Sequence, residues 1–316
     1  MSNFVRILSV FSVLVVVMAI GTGVASASQP DGAGNDNGRG HETIISMPTR
    51  GVKDARDAHG ARPGGGGSNL LAYRGGAVQT NTKVYISYWG WGTNEAAART
   101  YVHDFFNNVG GSKWIGTDTE YCQGVASGST DCSLALAVNR ITNPAGQLTG
   151  EWDADSTAVP SKPTQTDIAL AALRLQAKFG YDSNATYMVF TPSGKSMTGF
   201  GTQWCAWHSS TTTAGQPLAY AYIPYIPDAG ASCGQSFVNA GAAGVFDGFS
   251  IVAGHEYEEA QTDPFPNGGW LDRNGAENAD KCAWNSLSRN ITLGGKLFAV
   301  QPVWSNKTGG CVTPVS

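Results

Sequence analysis

Apolar residues along the chain recur with two different periods, and the two alternate through most of its length. Lys83-Val-Tyr-Ile-Ser-Tyr-Trp89 concentrates β-branched and aromatic residues and predicts a strand. Between Asn94 and Val109, Tyr101, Val102, Phe105, Phe106 and Val109 fall at helical spacing. Thr164-Gln-Thr-Asp167 resembles a capping box and opens a second helix that runs to Phe179, ahead of Gly180. Strands are expected at residues 186–191 and 218–223, and a last one at 296–304, where Pro302 favours an edge position. A further helix runs from Phe246 until Pro264 stops it. These elements share one stretch without a second linker, which predicts a single α+β domain over residues 69–316 built on a mixed β-sheet.

The N-terminus has a different character. One positive charge at Arg6, an apolar run from Ile7 to Ile20 and the small-residue site Ala25-Ser-Ala27 read as a secretory signal peptide over residues 1–27. The run is shorter than the ~20 residues of a membrane-spanning helix, so no membrane association is expected after cleavage. Residues 28–68 are Gly, Asp, Asn, Arg and Pro with few apolar side chains, ending in Pro63-Gly-Gly-Gly-Gly67. That composition predicts a disordered leader or linker, with a site-masking pro-segment as the sharper alternative.

Composition narrows the class. Charged residues make up 14% of the chain and 41 residues are Gly, against about 25% and ~7% in a typical domain, which indicates many loops. With a formal net charge of −4 and no Lys/Arg block, nucleic acid is not expected as a partner. Six cysteines in an exported chain predict disulfides, with Cys122–Cys132, Cys205–Cys233 and Cys282–Cys311 as the expected pairs. Sequons at Asn184, Asn290 and Asn306 matter only in a host that glycosylates.

The chemistry sits in His255-Glu256-Tyr-Glu-Glu259. On a helix, His255 and Glu259 stack on one face and can hold the same metal ion. Glu256, between them, is angled to reach a water activated there, which is the logic of H-E-x-x-H zinc peptidases with Glu replacing the second His. Ile251-Val-Ala253 just before the motif suggests a buried helix, where a His and two Glu call for a compensating cation. A third ligand is expected downstream at Glu277, 18 residues after Glu259, a separation similar to that in thermolysin-like zinc peptidases, with Asp280 accepting the second ring N–H of His255; the reversed assignment is the close alternative. Asp263 and Asp272 are weaker candidates that turn formation explains equally well. His103 reads as a helix-surface residue. His208, after Cys205-Ala-Trp207 in a Gly/Ser-rich loop, could stabilise an oxyanion, bind metal, or only pack beside a disulfide.

The residues that carry these features also resemble the phosphate-induced protein, or EXORDIUM, family of secreted plant proteins. The resemblance runs through Leu71-Ala-Tyr-Arg-Gly-Gly-Ala-Val78, Val84 to Gly90, Tyr187 to Thr191, Gly199 to His208, His255 to Glu259, Glu277-Asn-Ala-Asp-Lys-Cys282, Trp304 and Cys311. It implies an extracellular or cell-wall setting and raises His208 as a site residue, without supplying a reaction.

Together these readings predict a zincin-like fold with a buried metal-binding helix, in a secreted, monomeric, zinc-dependent metallopeptidase acting on peptide or protein. Metal ligands are drawn from His255, Glu259, Glu277 and Asp280, and the catalytic groups are Glu256 and His208. The alternative is a non-catalytic module associated with cell-wall polysaccharide, with a structural metal such as calcium and sugar-stacking faces from Trp89, Trp91, Trp114, Trp204, Trp207 and Trp270.

Overall fold

The computed structural model describes residues 43–54 and 69–315. The signal peptide expected over residues 1–27 lies outside the described residues. In chain order the strands are β1 (Ile45–Pro48), β2 (Ala72–Tyr73), β3 (Lys83–Tyr88), β4 (Leu148–Trp152), β5 (Ala185–Phe190), β6 (Trp204–Thr213), β7 (Gln216–Ile223), β8 (Trp270–Leu271), β9 (Arg289–Leu293), β10 (Lys296–Val300), β11 (Val303–Ser305) and β12 (Gly310–Val312). The helices used below are α1 (Ala96–Val109), α2 (Gln165–Phe179) and α3 (Asp247–Thr262).

Six strands form one sheet in the order β1-β6-β7-β5-β3-β4. Strands β7, β5, β3 and β4 run parallel, while β1, β6 and β7 are joined antiparallel, so the sheet is mixed. Alternation divides its side chains between two cores. Tyr85, Tyr187, Val189, Trp207, Tyr220 and Tyr222 pack with Ile168, Ala172 and Leu175 of α2. Val84, Ile86, Met188, Phe190, Ala221 and Ile223 point the other way, into a larger core with α1 and α3. The fold is therefore α+β, with helices on both faces.

Local chemistry accounts for two of the element ends. Thr164 caps α2 and Asp167 completes the capping box, as expected. Strand β10 ends at Val300, and the expected strand over 296–304 is divided at Pro302 into β10 and β11. The three disulfides join the expected pairs, Cys122–Cys132, Cys205–Cys233 and Cys282–Cys311, and fit an oxidising compartment.

Two expectations are corrected. The predicted structureless stretch 28–68 fails at residues 43–54. There β1 pairs with β6, aligning Ile45 with His208, and Met47 is fully buried in the larger core. Ser209 Oγ donates to the Thr43 carbonyl (2.6 Å) and Trp284 Nε1 to that of Pro48 (2.7 Å), clamping both ends. A four-residue apolar island within a polar tract is too short to show a period. The second correction concerns His208, which lies on β6 rather than in a loop. Its strand turns back into β7 through Ala214-Gly215, both at positive φ, the geometry of a tight two-residue hairpin.

Helix α3 has no exposed face. All of its residues from Asp247 to Thr262 are buried, including Asp247, His255, Glu256, Glu258 and Glu259. Asp247 accepts hydrogen bonds from the backbone N–H groups of Val238 and Asn239 and from the Asn239 side chain. Gly248, in the first turn, leaves no room for a β-carbon, which would strike the Cys233 carbonyl and Ile226. Gly248→Ala is expected to destabilise the protein by about 1–3 kcal/mol, read as a lower denaturant midpoint at unchanged slope. An unchanged midpoint would show that the helix start can shift.

Candidate metal centre

His255 and Glu259 stand one turn apart on α3, and His255 Nε2 lies 3.0 Å from Glu259 Oε1. Asp280, in the short helical turn Asp280–Cys282, brings Oδ1 to 3.6 Å from the same nitrogen. Its backbone N–H donates to Glu259 Oε1 at 3.0 Å. The three residues each offer a ligand atom within 4.8 Å of the others. His255 and Glu259 are inaccessible, whereas the Asp280 side chain is 22% exposed, so this set opens to solvent on the Asp280 side.

The hydrogen bonds of Gln301 determine which nitrogen of His255 is free. Gln301 Nε2 donates to the carbonyls of Ala279 (3.0 Å) and Pro302 (3.3 Å), so its Oε1 is the acceptor 3.1 Å from His255 Nδ1. Nδ1 therefore carries a proton, and in the neutral ring Nε2 presents a lone pair to two carboxylates. That arrangement is repulsive unless a second proton or a cation intervenes. In the metal-free protein, burial pulls His255 down, but Glu259, Glu256 and Asp280 outweigh it and raise its pKa to about 10. The same pairing with His255 lowers Glu259 in spite of its burial.

The expected roles of the two downstream acids are not the ones these contacts show. Gln301, rather than Asp280, lies against His255 Nδ1; Asp280, rather than Glu277, is grouped with His255 and Glu259 as a set that could hold an ion; and Glu277 points to His208. Asp263 and Asp272 make turns: Asp263 accepts from the N–H groups of Asn267, Gly268 and Gly269, and Asp272 from those of Asn274 and Ala276. His103 is a surface residue, 2.6 Å from Glu151.

His208 reaches the centre from β6. Its Nε2 is 3.0 Å from Glu277 Oε2 and 3.6 Å from Glu259 Oε2, and burial holds its pKa down at about 4. Glu256 belongs with His208 and Glu259 in a second set of ligand atoms within 4.8 Å. Both Glu256 oxygens are buried without a hydrogen-bond partner, and burial pushes this carboxyl and that of Glu277 well above the usual range. The Met47 N–H in β1 favours the charged form of Glu256 slightly, without completing a hydrogen bond to it.

Another pair of acids lies behind the helix. Asp118 and Glu258 are fully buried, and burial raises both, with Glu120 and Glu259 adding to the shift at Asp118, and Asp118 and Glu259 to that at Glu258. Asn278 Nδ2 donates to Asp118 Oδ1 at 2.8 Å, whereas both Glu258 oxygens lack partners. Gln301 and Asp118 carry no sequence signal of their role, because each meets α3 only through the fold.

Comparison of the chain with protein-family models, curated proteins and solved structures finds no match.

Proposed function

We propose that the protein is a secreted metal-dependent hydrolase, a zinc peptidase in which His255, Glu259 and Asp280 hold the ion. The observation that carries this reading is the placement of His255, whose Nδ1 lies against Gln301 Oε1 and whose Nε2 faces Glu259 and Asp280. One imidazole and two carboxylates suit Zn²⁺, and the imidazole argues against the all-oxygen shell that Ca²⁺ prefers. A divalent ion at this position would polarise a substrate carbonyl and make water more acidic. Glu256, which has no hydrogen-bond partner, then takes a proton from water and returns it to the departing amine. The disulfides and the resemblance to a secreted family support an extracellular setting.

The carbohydrate-binding reading has less support. Trp89, Trp91, Trp114, Trp207 and Trp270 are buried in the cores and offer no face to a sugar, which leaves Trp204 half-buried.

The test pairs metal analysis with one substitution. The purified protein is expected to contain a stoichiometric divalent metal and to cleave members of a peptide library. Glu256→Gln should keep the metal bound through His255, Glu259 and Asp280 and lose at least 10²-fold in cleavage. Absence of bound metal, or undiminished cleavage by the variant, would exclude the proposal.

A further inference from the structure

Glu259 is the one residue common to the two ligand sets, and its two oxygens face in different directions. Oε1 faces His255 Nε2 at 3.0 Å and accepts the Asp280 N–H, while Oε2 faces His208 Nε2 at 3.6 Å and has no hydrogen-bond partner. Neither set contains both histidines, so each set accounts for one of them. We propose that the centre holds two divalent cations bridged by the Glu259 carboxylate, the second bound by His208, Glu256 and Glu259. This extends the hydrolase centre proposed above and rests on its first ion.

Three features support a second ion. The first is spacing: ligands about 2.1 Å from a tetrahedral ion lie roughly 3.4 Å from one another, and the His208–Glu259 separation of 3.6 Å is close to that. The second is that the polar atoms around this position lack partners. Glu259 Oε2 and both oxygens of Glu256 are fully buried and unpaired, and His208 Nε2 faces Glu259 and Glu277 together, although one N–H can serve only one of them. A cation among these atoms satisfies them at once.

The third is charge. Once ionised, as carboxylates around cations would be, Glu256, Glu259, Glu277 and Asp280 would carry four negative charges in a centre where Asp280 alone reaches solvent, a number that two divalent ions would balance. Bridged pairs of this kind, with ions about 3.5–4 Å apart, clamp the attacking and leaving oxygens of a displacement. The role of Glu256 as proton carrier is retained, because one of its oxygens suffices for the ion and the other remains free. Glu277 Oε2, 3.0 Å from the same His208 nitrogen, lies beside this second position.

The proposal is tested by metal stoichiometry. The intact oxidised protein, stripped and titrated with Co²⁺, is expected to take up two equivalents. Loaded with Mn²⁺, it should show the multiline electron paramagnetic resonance spectrum of a coupled pair. His208→Ala should bind one equivalent and give only the spectrum of isolated Mn²⁺, and His208→Gln repeats the measurement with less loss of packing volume. Both variants are first checked for three disulfides and native circular dichroism. Saturation of the wild type at one equivalent, or two equivalents retained by folded His208 variants, overturns the second ion and leaves the first standing. No binding at all overturns both.

Discussion

Removing divalent metal will lower the melting temperature of this protein, and the loss will deepen as the pH rises from 6.5 towards 10. The window is set by His255, whose pKa rises from 6.5 in the unfolded chain to about 10 in the metal-free fold. Across that interval the folded state keeps a proton that the unfolded state has released, so stability declines with increasing pH. Glu256 and Glu277 act in the same direction. Burial holds them protonated above their usual 4.5, and ionising them inside the fold becomes steadily more costly as the pH climbs. Glu259 and His208 do not offset this. The lowered Glu259 adds stability that is lost only in acid, and His208, lowered to about 4, gains stability with pH only up to 6.5.

Metal should reverse the trend, because the ligands bind as deprotonated groups and affinity grows as protons leave. A free ion at a hundredfold excess over its dissociation constant adds about 2.7 kcal/mol. Thermal melts with chelator and with Zn²⁺ at a series of pH values provide the check. Coincident curves with and without metal would mean that protons, rather than cations, hold the centre together.

Met47→Ala will destabilise the protein by about 2–5 kcal/mol, although the residue lies in a segment whose composition reads as a leader. Its side chain is fully buried in the core that also holds α1 and α3, and its backbone lies against Glu256. For domains of roughly 150–250 residues, each kcal/mol corresponds to a shift of about 2–4 °C, so the effect is easily resolved. Were residues 43–54 only a tether, the change would stay within about 0.5 kcal/mol. Calorimetry of the purified variant distinguishes the two. A null result would remove β1 from the stabilising core.

The contrast between Met47 and His255 shows what a sequence can convey. The helices were legible because they repeat an apolar period, and β3, β5 and β7 because they are compact runs of β-branched and aromatic residues, as in the fully buried β5; the parallel strand β4, polar along much of its length, was not. The motif His255-Glu256-x-x-Glu259 was legible because helical geometry alone brings its ends together. Strand β1 is too short to carry a period, and β6, although ten residues long, hides its alternation in Ser and Thr. The remainder of the centre is tertiary. Nothing local separates Asp280 from Glu277, since the difference depends on which way a loop turns over α3. Gln301 becomes a partner of His255 only because β10 packs against that helix and delivers the residue beyond its end.

Two disulfides lie close to the metal-site residues along the chain. Cys205 precedes His208 on β6 and is tied to Cys233, while Cys282 follows Asp280 and is tied to Cys311. These bonds reinforce the segments that deliver His208 and Asp280, which are otherwise held by the pairing of β6 with β1 and β7 and by the Asp280 N–H bond to Glu259. If the centre binds an ion as proposed, oxidation would precede ion capture, and a chain kept reduced should load poorly even where zinc is plentiful.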